Sequence, residues 1–148
     1  MITIELFGDP VPQARARIVS GGKHAYDPKA KLKEGYKWQI KSQYREEPIA
    51  APFAADLIFF MPIPKSLSKV KKRQMLNGRI PHIKKPDLDN LAKFIFDCMN
   101  DLVFDDDSQM IELRAKKIYS DKPGTLIRII PLADEKRDFL YENTNRVF

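Results

Sequence analysis

Apolar and polar positions alternate along residues 2–7, Ile-Thr-Ile-Glu-Leu-Phe. That two-residue period predicts a half-buried strand. The period then lapses. From Gly8 to Asp27 the chain is broken by Pro10, Pro12, Gly21 and Gly22 and made basic by Arg15, Arg17 and Lys23. It reads as a long loop, and a loop of that length in a compact domain is usually functional. Asp27-Pro28 is a helix-start signal, an N-cap followed by proline at the first helical position. The helix is expected to run to about Glu46. Leu32, Tyr36, Ile40 and Tyr44 recur every fourth residue and form an apolar ridge. Lys29, Lys33, Lys37, Lys41 and Arg45 form a second, basic ridge, which reads either as a solvated face or as a stripe that tracks phosphates.

Residues 54–61 predict a second strand, ended by Pro62 and Pro64. Ser66 to Asn77 has helical spacing at Leu67, Val70 and Met75 behind a serine cap, with Gly78 as C-cap. Residues 81–87 are again a loop. Asp89 to about Asp101 carries the strongest helical pattern, with Leu88, Leu91, Ile95, Cys98, Met99 and Leu102 on one face. Gln109 to Tyr119 alternates, Ile111, Leu113 and Ala115 against Glu112, Arg114 and Lys116, and predicts a half-buried strand. Lys122-Pro123-Gly124 is a turn and Thr125 to Ile130 a last strand, so these two strands are expected to form a hairpin. The tail, 132–148, is expected to hold a short helix around Phe139 to Tyr141. The order β-α-β-α-α-β-β predicts an α/β domain with helices packed on one face of a small mixed β-sheet.

With 148 residues, the chain is expected to be a single domain. One cysteine, Cys98, excludes an intrachain disulfide and a cysteine-based zinc site, and a reducing cytoplasm is the natural setting. The first residues lack a basic segment and a long apolar run, so no signal peptide is expected. The longest apolar stretch, Leu57 to Pro64, is too short to span a bilayer.

Charge changes the picture more. The balance is +6, from 26 Lys and Arg against 20 Asp and Glu. Residues 65–85 hold Lys65, Lys69, Lys71, Lys72, Arg73, Arg79, Lys84 and Lys85 and no acid. Residues 87–107 then hold aspartates at 87, 89, 97, 101, 105, 106 and 107 with one lysine, Lys93. A basic block of this kind suits a polyanion. Asp87-Leu88-Asp89 lies at a loop-to-helix junction. Extended backbone there turns both acids to one side and Leu88 to the other. Converging carboxylates suit a hard cation such as Mg²⁺, which keeps waters and binds substrate phosphate. Lys93 stands one helical turn after Asp89, placed to meet an acid or a phosphate.

Asp107 is the harder member to place. The span from Asp89 to Leu102 is about 20 Å as helix. The return along 103–107 is at most about 17 Å. Asp107 therefore reaches the pair only if the helix ends early, near Cys98 or Met99, or if it comes from another subunit. Structural readings stand beside the chemical one: Asp89 as an N-cap, 105–107 as a turn, Lys93 as an ion-pair partner, Asp97 and Asp101 as a solvated face. His24 and His82 read as non-catalytic loop residues and Cys98 as core.

Lys85-Pro86-Asp87-Leu88-Asp89-Asn90-Leu91-Ala92-Lys93, then Asp97, then Asp106-Asp107-Ser108-Gln109, resembles the RusA family of Holliday junction resolvases. Gly8-Asp9-Pro10-Val11-Pro12-Gln13-Ala14-Arg15-Ala16-Arg17 is similar to the opening of many members. The resemblance covers roughly residues 2–130. It implies a small α/β homodimer that nicks four-way DNA junctions symmetrically with Mg²⁺ or Mn²⁺ and no organic cofactor. It assigns Asp87, Asp89 and Asp107 as catalytic and metal-holding acids and Lys93 as the catalytic lysine. Arg15, Arg17, Lys69, Lys71, Lys72, Arg73, Lys84 and Lys85 become candidates for contacts to the DNA backbone. This chain departs from the pattern in its basic insert, about 65–80, and its tail, 132–148. Two other classes fit parts of the sequence: a non-catalytic junction-binding module, and a D-x-D nucleotide-sugar transferase, for which the Gly-rich nucleotide-binding domain is missing.

Overall fold

A computed structural model describes residues 1–14 and 27–132 in full, and the backbone alone of 17–18 and 25–26. The strands are β1 (Ile2–Phe7), β2 (Arg17–Ile18), β3 (Ala25–Tyr26), β4 (Phe53–Pro62), β5 (Met110–Ser120) and β6 (Gly124–Pro131). The helices are α1 (Ala30–Gln43), α2 (Lys69–Leu76) and α3 (Leu88–Met99), with a 3-10 turn at Asp107–Gln109. The long loop after β1 thus contains a two-stranded ladder, β2 against β3. The expected tail helix lies outside the described residues.

β4 has the most apolar alternation, with Phe53, Ala55, Leu57, Phe59 and Met61 all buried. It takes the central position in a four-stranded mixed sheet of order β1-β6-β4-β5. β4 pairs antiparallel with β6 and parallel with β5. The expected β5–β6 hairpin is therefore wrong: β4 lies between them. The connection at 121–123 has only to cross two strand spacings, about 9.6 Å. β4 stops at Pro62, so the connection passes over its end. Burial of β4's core-facing row favours two hydrogen-bonded neighbours over an edge.

One face of the sheet is apolar, with Ile4, Leu6, Leu57, Phe59, Ile127 and Ile129 buried, and the helices pack there. The other face carries Glu5, Asp56, Arg114, Lys116 and Arg128. α3 is the central helix: Leu91, Ala92, Phe94, Ile95, Phe96, Cys98 and Met99 are buried, so sheet and α1 cover it on several sides. Its exposed residues are Asp89, Asn90 and Lys93.

α1 begins two residues later than its sequence signal, at Ala30 rather than Pro28, and ends at Gln43 rather than Glu46. The reason is local. Asp27 accepts the Lys29 N–H at 2.8 Å and caps from outside the helix. Its other carboxylate oxygen pairs with Lys33 at 2.7 Å. Lys33 also meets Asp97 of α3 at 3.0 Å, so Asp97 is an interhelix tie and not a solvated face. The apolar ridge is shorter than expected, since Tyr36 and Ile40 are buried and Leu32 is exposed. The basic ridge does not act as one stripe: Lys33 is consumed by carboxylates, and the Lys29 ammonium donates to the Pro12 carbonyl.

Burial pulls the Lys33 pKa down, but its bonds to Asp27 and Asp97 outweigh this and raise it. The hydrogen bond from Lys33 holds the Asp27 carboxyl below its usual value of 3.8. Asp27 is the lowered group, so its stabilisation is present above pH 3.8 and lost as pH falls through the lower folded value. The Lys33 contribution is kept until pH exceeds 10.5. Lys33→Met is expected to lower the Tm at pH 7 by roughly 2–4 °C. It is also expected to flatten the loss of Tm below pH 4, roughly where free aspartates titrate. Melting curves at stepped pH check both.

Candidate active site at the start of the central helix

Asp87 is the N-cap residue of α3, with extended backbone at φ −72° and ψ 144°. Its side chain makes no capping hydrogen bond. Asp89 lies inside the first turn, where a negative charge faces the positive end of the helix dipole. The N-cap alternative for Asp89 therefore falls: the cap position is two residues earlier, at Asp87, and neither carboxylate caps. Both acids are exposed. Among the described residues neither takes part in an ion pair or accepts a side-chain hydrogen bond. Lys93, also exposed, shares the helix face of Asp89 one turn on and is likewise unpaired.

The N-terminal segment docks beside this pair. The Gln13 N–H donates to the Asn90 carbonyl at 2.8 Å, and the Tyr36 hydroxyl donates to the Asp9 carbonyl at 2.9 Å. Pro10, Pro12, Gln13, Lys85, Pro86, Asp87 and Asn90 line a concavity of about 480 Å³. The Lys85–Pro86 peptide on its wall is cis. The family-like opening of the chain and the D-L-D-N run thus meet in space.

The third acid is elsewhere. α3 ends at Met99, the early end that reach required. The chain does not turn back along it, however. Val103 N–H donates to Met99 O and Asp101 N–H to Phe104 O, closing a tight turn in which Asp101 has φ 62°. Phe104 then stacks on Phe53 at 4.6 Å, and Met110 pairs with Phe53. Asp107 is held between those two anchors, at the start of β5. The residue of β5 that reaches the Asp87 segment is Lys117, roughly 23 Å further along the strand. Among the described residues no three His, Cys, Asp or Glu side chains gather into a group able to hold a metal ion.

The neighbouring acids separate into roles. Asp106 accepts the Ser108 N–H at 2.8 Å, and Gln109 Oε1 accepts the Asp106 N–H at 2.9 Å, a capping box on the 3-10 turn. The hydrogen bonding at Ser108 lowers the Asp106 pKa. Asp106 and Gln109 are thus committed to the turn, and the half-buried Asp107 is left with no hydrogen-bonded partner among the described side chains.

The basic candidates also divide. Lys69, Lys71 and Arg73 of α2, with Lys84 and Lys85, are exposed. Lys72 is half-buried and donates to the Lys65 carbonyl at 2.9 Å. Arg15 lies outside the described residues, and of Arg17 only the backbone, in β2, is described. His82 packs on Tyr119 with ring centroids 4.7 Å apart, and burial and Lys117 lower its pKa, so it is neutral at pH 7. His24 lies outside the described residues. Cys98 is buried in the core, and burial pushes its thiol up to about 12. Thiol reagents are therefore expected to leave the native protein unmodified and to label it only on unfolding, as counted by mass spectrometry.

The residue that sequence analysis missed is Lys117. In the strand alternation it was one lysine among several. Its register partner on β4 is the buried Phe59, which puts it on the helix-covered face. Its ammonium donates to the carbonyls of Lys84 and Pro86, each at 2.7 Å.

A mixed α/β domain with an aspartate couple at a helix start that is unpaired among the described residues, beside exposed cations, suits chemistry on phosphodiesters. The family model for endodeoxyribonuclease RusA matches residues 8–130, and the chain belongs to that family. It is similar to an uncharacterized protein of Bacillus subtilis (strain 168), YqaN. The two are 37% identical over an alignment of 134 residues, which covers 86% of this chain and 94% of that protein. The match spans the whole basic stretch from Lys65 to Arg79 as well as both acidic motifs. Membership implies an endodeoxyribonuclease, in a family that acts on branched DNA junctions. Among the described residues no helix is long and apolar enough to cross a membrane.

Proposed function

We propose that the protein is a Mg²⁺-dependent, structure-selective endodeoxyribonuclease that resolves four-way junctions by paired symmetric nicks, acting as a homodimer. The observation that carries this reading is the exposed pair Asp87 and Asp89 at the start of α3, without side-chain partners among the described residues and inside the stretch the family matches. Hard carboxylate oxygens without competing hydrogen bonds suit Mg²⁺ or Mn²⁺. Asp87 and Asp89 would hold the ion, which when bound supplies an activated water and neutralises charge on the phosphate. Asp107 would be the third ligand. Anchored beyond the far end of α3, it is suited to meet the acid pair of a second copy better than its own. Lys93 would donate to a non-bridging phosphate oxygen and stabilise the charge that develops there.

Lys69, Lys71, Arg73, Lys84 and Lys85 are exposed and free to contact phosphates, with Lys72 beside them. Arg15 and Arg17 would add to the same set. Such contacts bind without reading sequence, and junction preference would come from shape met by two symmetric sites. Affinity for a junction is expected to fall by ~10³–10⁵ between about 50 and 200 mM salt if roughly six to ten phosphates are contacted. Lys71, Lys72 and Arg73 reversed together to Glu should weaken binding to junctions of different sequence about equally. Gel shifts over a salt series measure both.

The decisive experiment incubates the protein with a labelled four-way junction or a linear duplex in Mg²⁺, resolved on a denaturing gel. Paired nicks in the junction alone support the reading. Binding without nicks would leave a junction-binding module. Light scattering tests the homodimer, and a monomer mass that persists on adding junction DNA would remove the two-site mechanism.

A further inference from the structure

We propose that Lys117 is a positioning residue, which clamps the segment 84–86 from the sheet and so fixes Asp87 relative to Asp89. The inference rests on the reading of the aspartate pair as a metal site. Lys117 lies on β5, opposite Phe59, on the face where the sheet presents mostly apolar residues, with Thr125 polar on the other side of Phe59. A lysine there loses hydration that an isosteric methionine would not lose. What it gains are two bonds of 2.7 Å to the carbonyls of Lys84 and Pro86. Among the described residues it has no carboxylate partner, so the ammonium is committed to those two oxygens.

The acceptors decide what this lysine is for. Both belong to the run that delivers Asp87 to the start of α3. Among the described residues, no backbone–backbone hydrogen bond outside the helices and strands involves residues 81–86. The run is fastened instead by alternate residues of β5: Tyr119 packs against His82, and Lys117 holds the two carbonyls. Asp89 needs no such help, because the helix carries it. Asp87 sits at the cap, with extended backbone and no side-chain bond of its own. Its carbonyl accepts the Leu91 N–H at 3.1 Å, so the helix holds its C-terminal side, and the side from which its carboxylate is presented depends on how the preceding residues are held. The same clamp sets where Lys84 and Lys85 face the DNA.

Residues that orient a metal ligand from behind typically matter about ten- to hundredfold in metal affinity when removed. Lys117→Met keeps length and apolar stem but cannot donate. Three quantities are measured on the full-length variant and wild type: amide hydrogen exchange, Mn²⁺ binding by the loss of free-ion resonance, and junction cleavage over a Mn²⁺ series. The expected result is faster exchange confined to peptides covering 82–89, with the sheet and the rest of α3 unchanged. Mn²⁺ binding is expected to weaken about ten- to hundredfold, with cleavage partly recovered at high Mn²⁺. Exchange and Mn²⁺ affinity both at wild-type values would overturn the proposal. Should the methionine variant not fold, Lys117→Gln, which can donate to one carbonyl, is measured in the same way. Intermediate values support the clamp and wild-type values overturn it. A wild type that shows the exchange and Mn²⁺ differences from Lys117→Met but never cuts a junction would refute the nuclease reading and leave the clamp standing. A wild type that binds no Mn²⁺ would remove the acid pair as a metal site and the proposal with it.

Discussion

Asp89→Asn is expected to abolish junction cleavage while leaving junction binding in EDTA unchanged or tighter. The expected loss is at least about 10²–10³-fold, the scale on which a group acting on developing charge is missed. The separation of effects follows from the placement of charge. Asp89 is exposed in the first turn of α3 and, among the described residues, its side chain makes no hydrogen bond or ion pair, so an isosteric asparagine disturbs no packing there. The cations that would hold DNA lie on α2 and in the 84–85 segment, and they stay. Two small terms act on the fold. Asn gives up part of the helix-dipole interaction, about 0.3–1 kcal/mol, and relieves repulsion from Asp87. The EDTA melting temperature should therefore barely move. The response to metal should differ sharply. A ligand at a hundred times its dissociation constant stabilises the native state by about 2.7 kcal/mol, and Asp89→Asn should lose most of that gain. Cleavage in Mg²⁺, gel shift in EDTA, and melting curves with and without Mn²⁺ are measured side by side. Wild-type cutting by Asp89→Asn would sink the metal-site assignment.

A mixture of Asp89→Asn with Asp107→Asn is expected to cut, although each variant alone is inactive. Asp107 is pinned between Phe104 on Phe53 and Met110 paired with Phe53. Asp87 and Asp89 begin the other end of α3, about 18 Å of helix away from Asn100. If each site takes its acid pair from one chain and Asp107 from the other, the mixed dimer retains one intact site and one doubly defective site. It should nick one strand of the junction but not make the paired cut. If all three acids came from one chain, both sites of the mixed dimer would be broken and the mixture would stay silent. Refolding the two variants together, to exchange subunits, and scoring nicked against resolved product separates the two arrangements.

Much of this was legible in the chain because it is governed by near neighbours. The alternation at 2–7, the apolar spacing of α3, the proline that stops β4 and the glycine after α2 are local signals, whereas the expected cap at Ser66 is wrong: α2 starts at Lys69 behind Ser68, whose side chain accepts the Lys71 N–H. Such local signals report the same physics in any context. The D-L-D-N run and the spaced Asp-Asp-x-Gln were equally plain, since motifs are contiguous by nature. Their division of labour was not. Asp106 and Gln109 close a turn while Asp107 has no side-chain hydrogen bond among the described residues, and only the hydrogen bonds show it. The β5–β6 hairpin failed because strand order is a competition among all strands for the central place, and β4 wins it with the most apolar face. Asp97 looked solvated until α1 brought Lys33 to it. Lys117 looked like any basic strand residue until pairing with β4 set it under the loop that carries Asp87. The sequence by itself determined the elements, the acidic and basic residues and the family they belong to. Only the tertiary structure decided which charges are spent within the chain, which stay free for a ligand, and which acid is held apart from the other two, because each depends on contacts between residues distant in sequence.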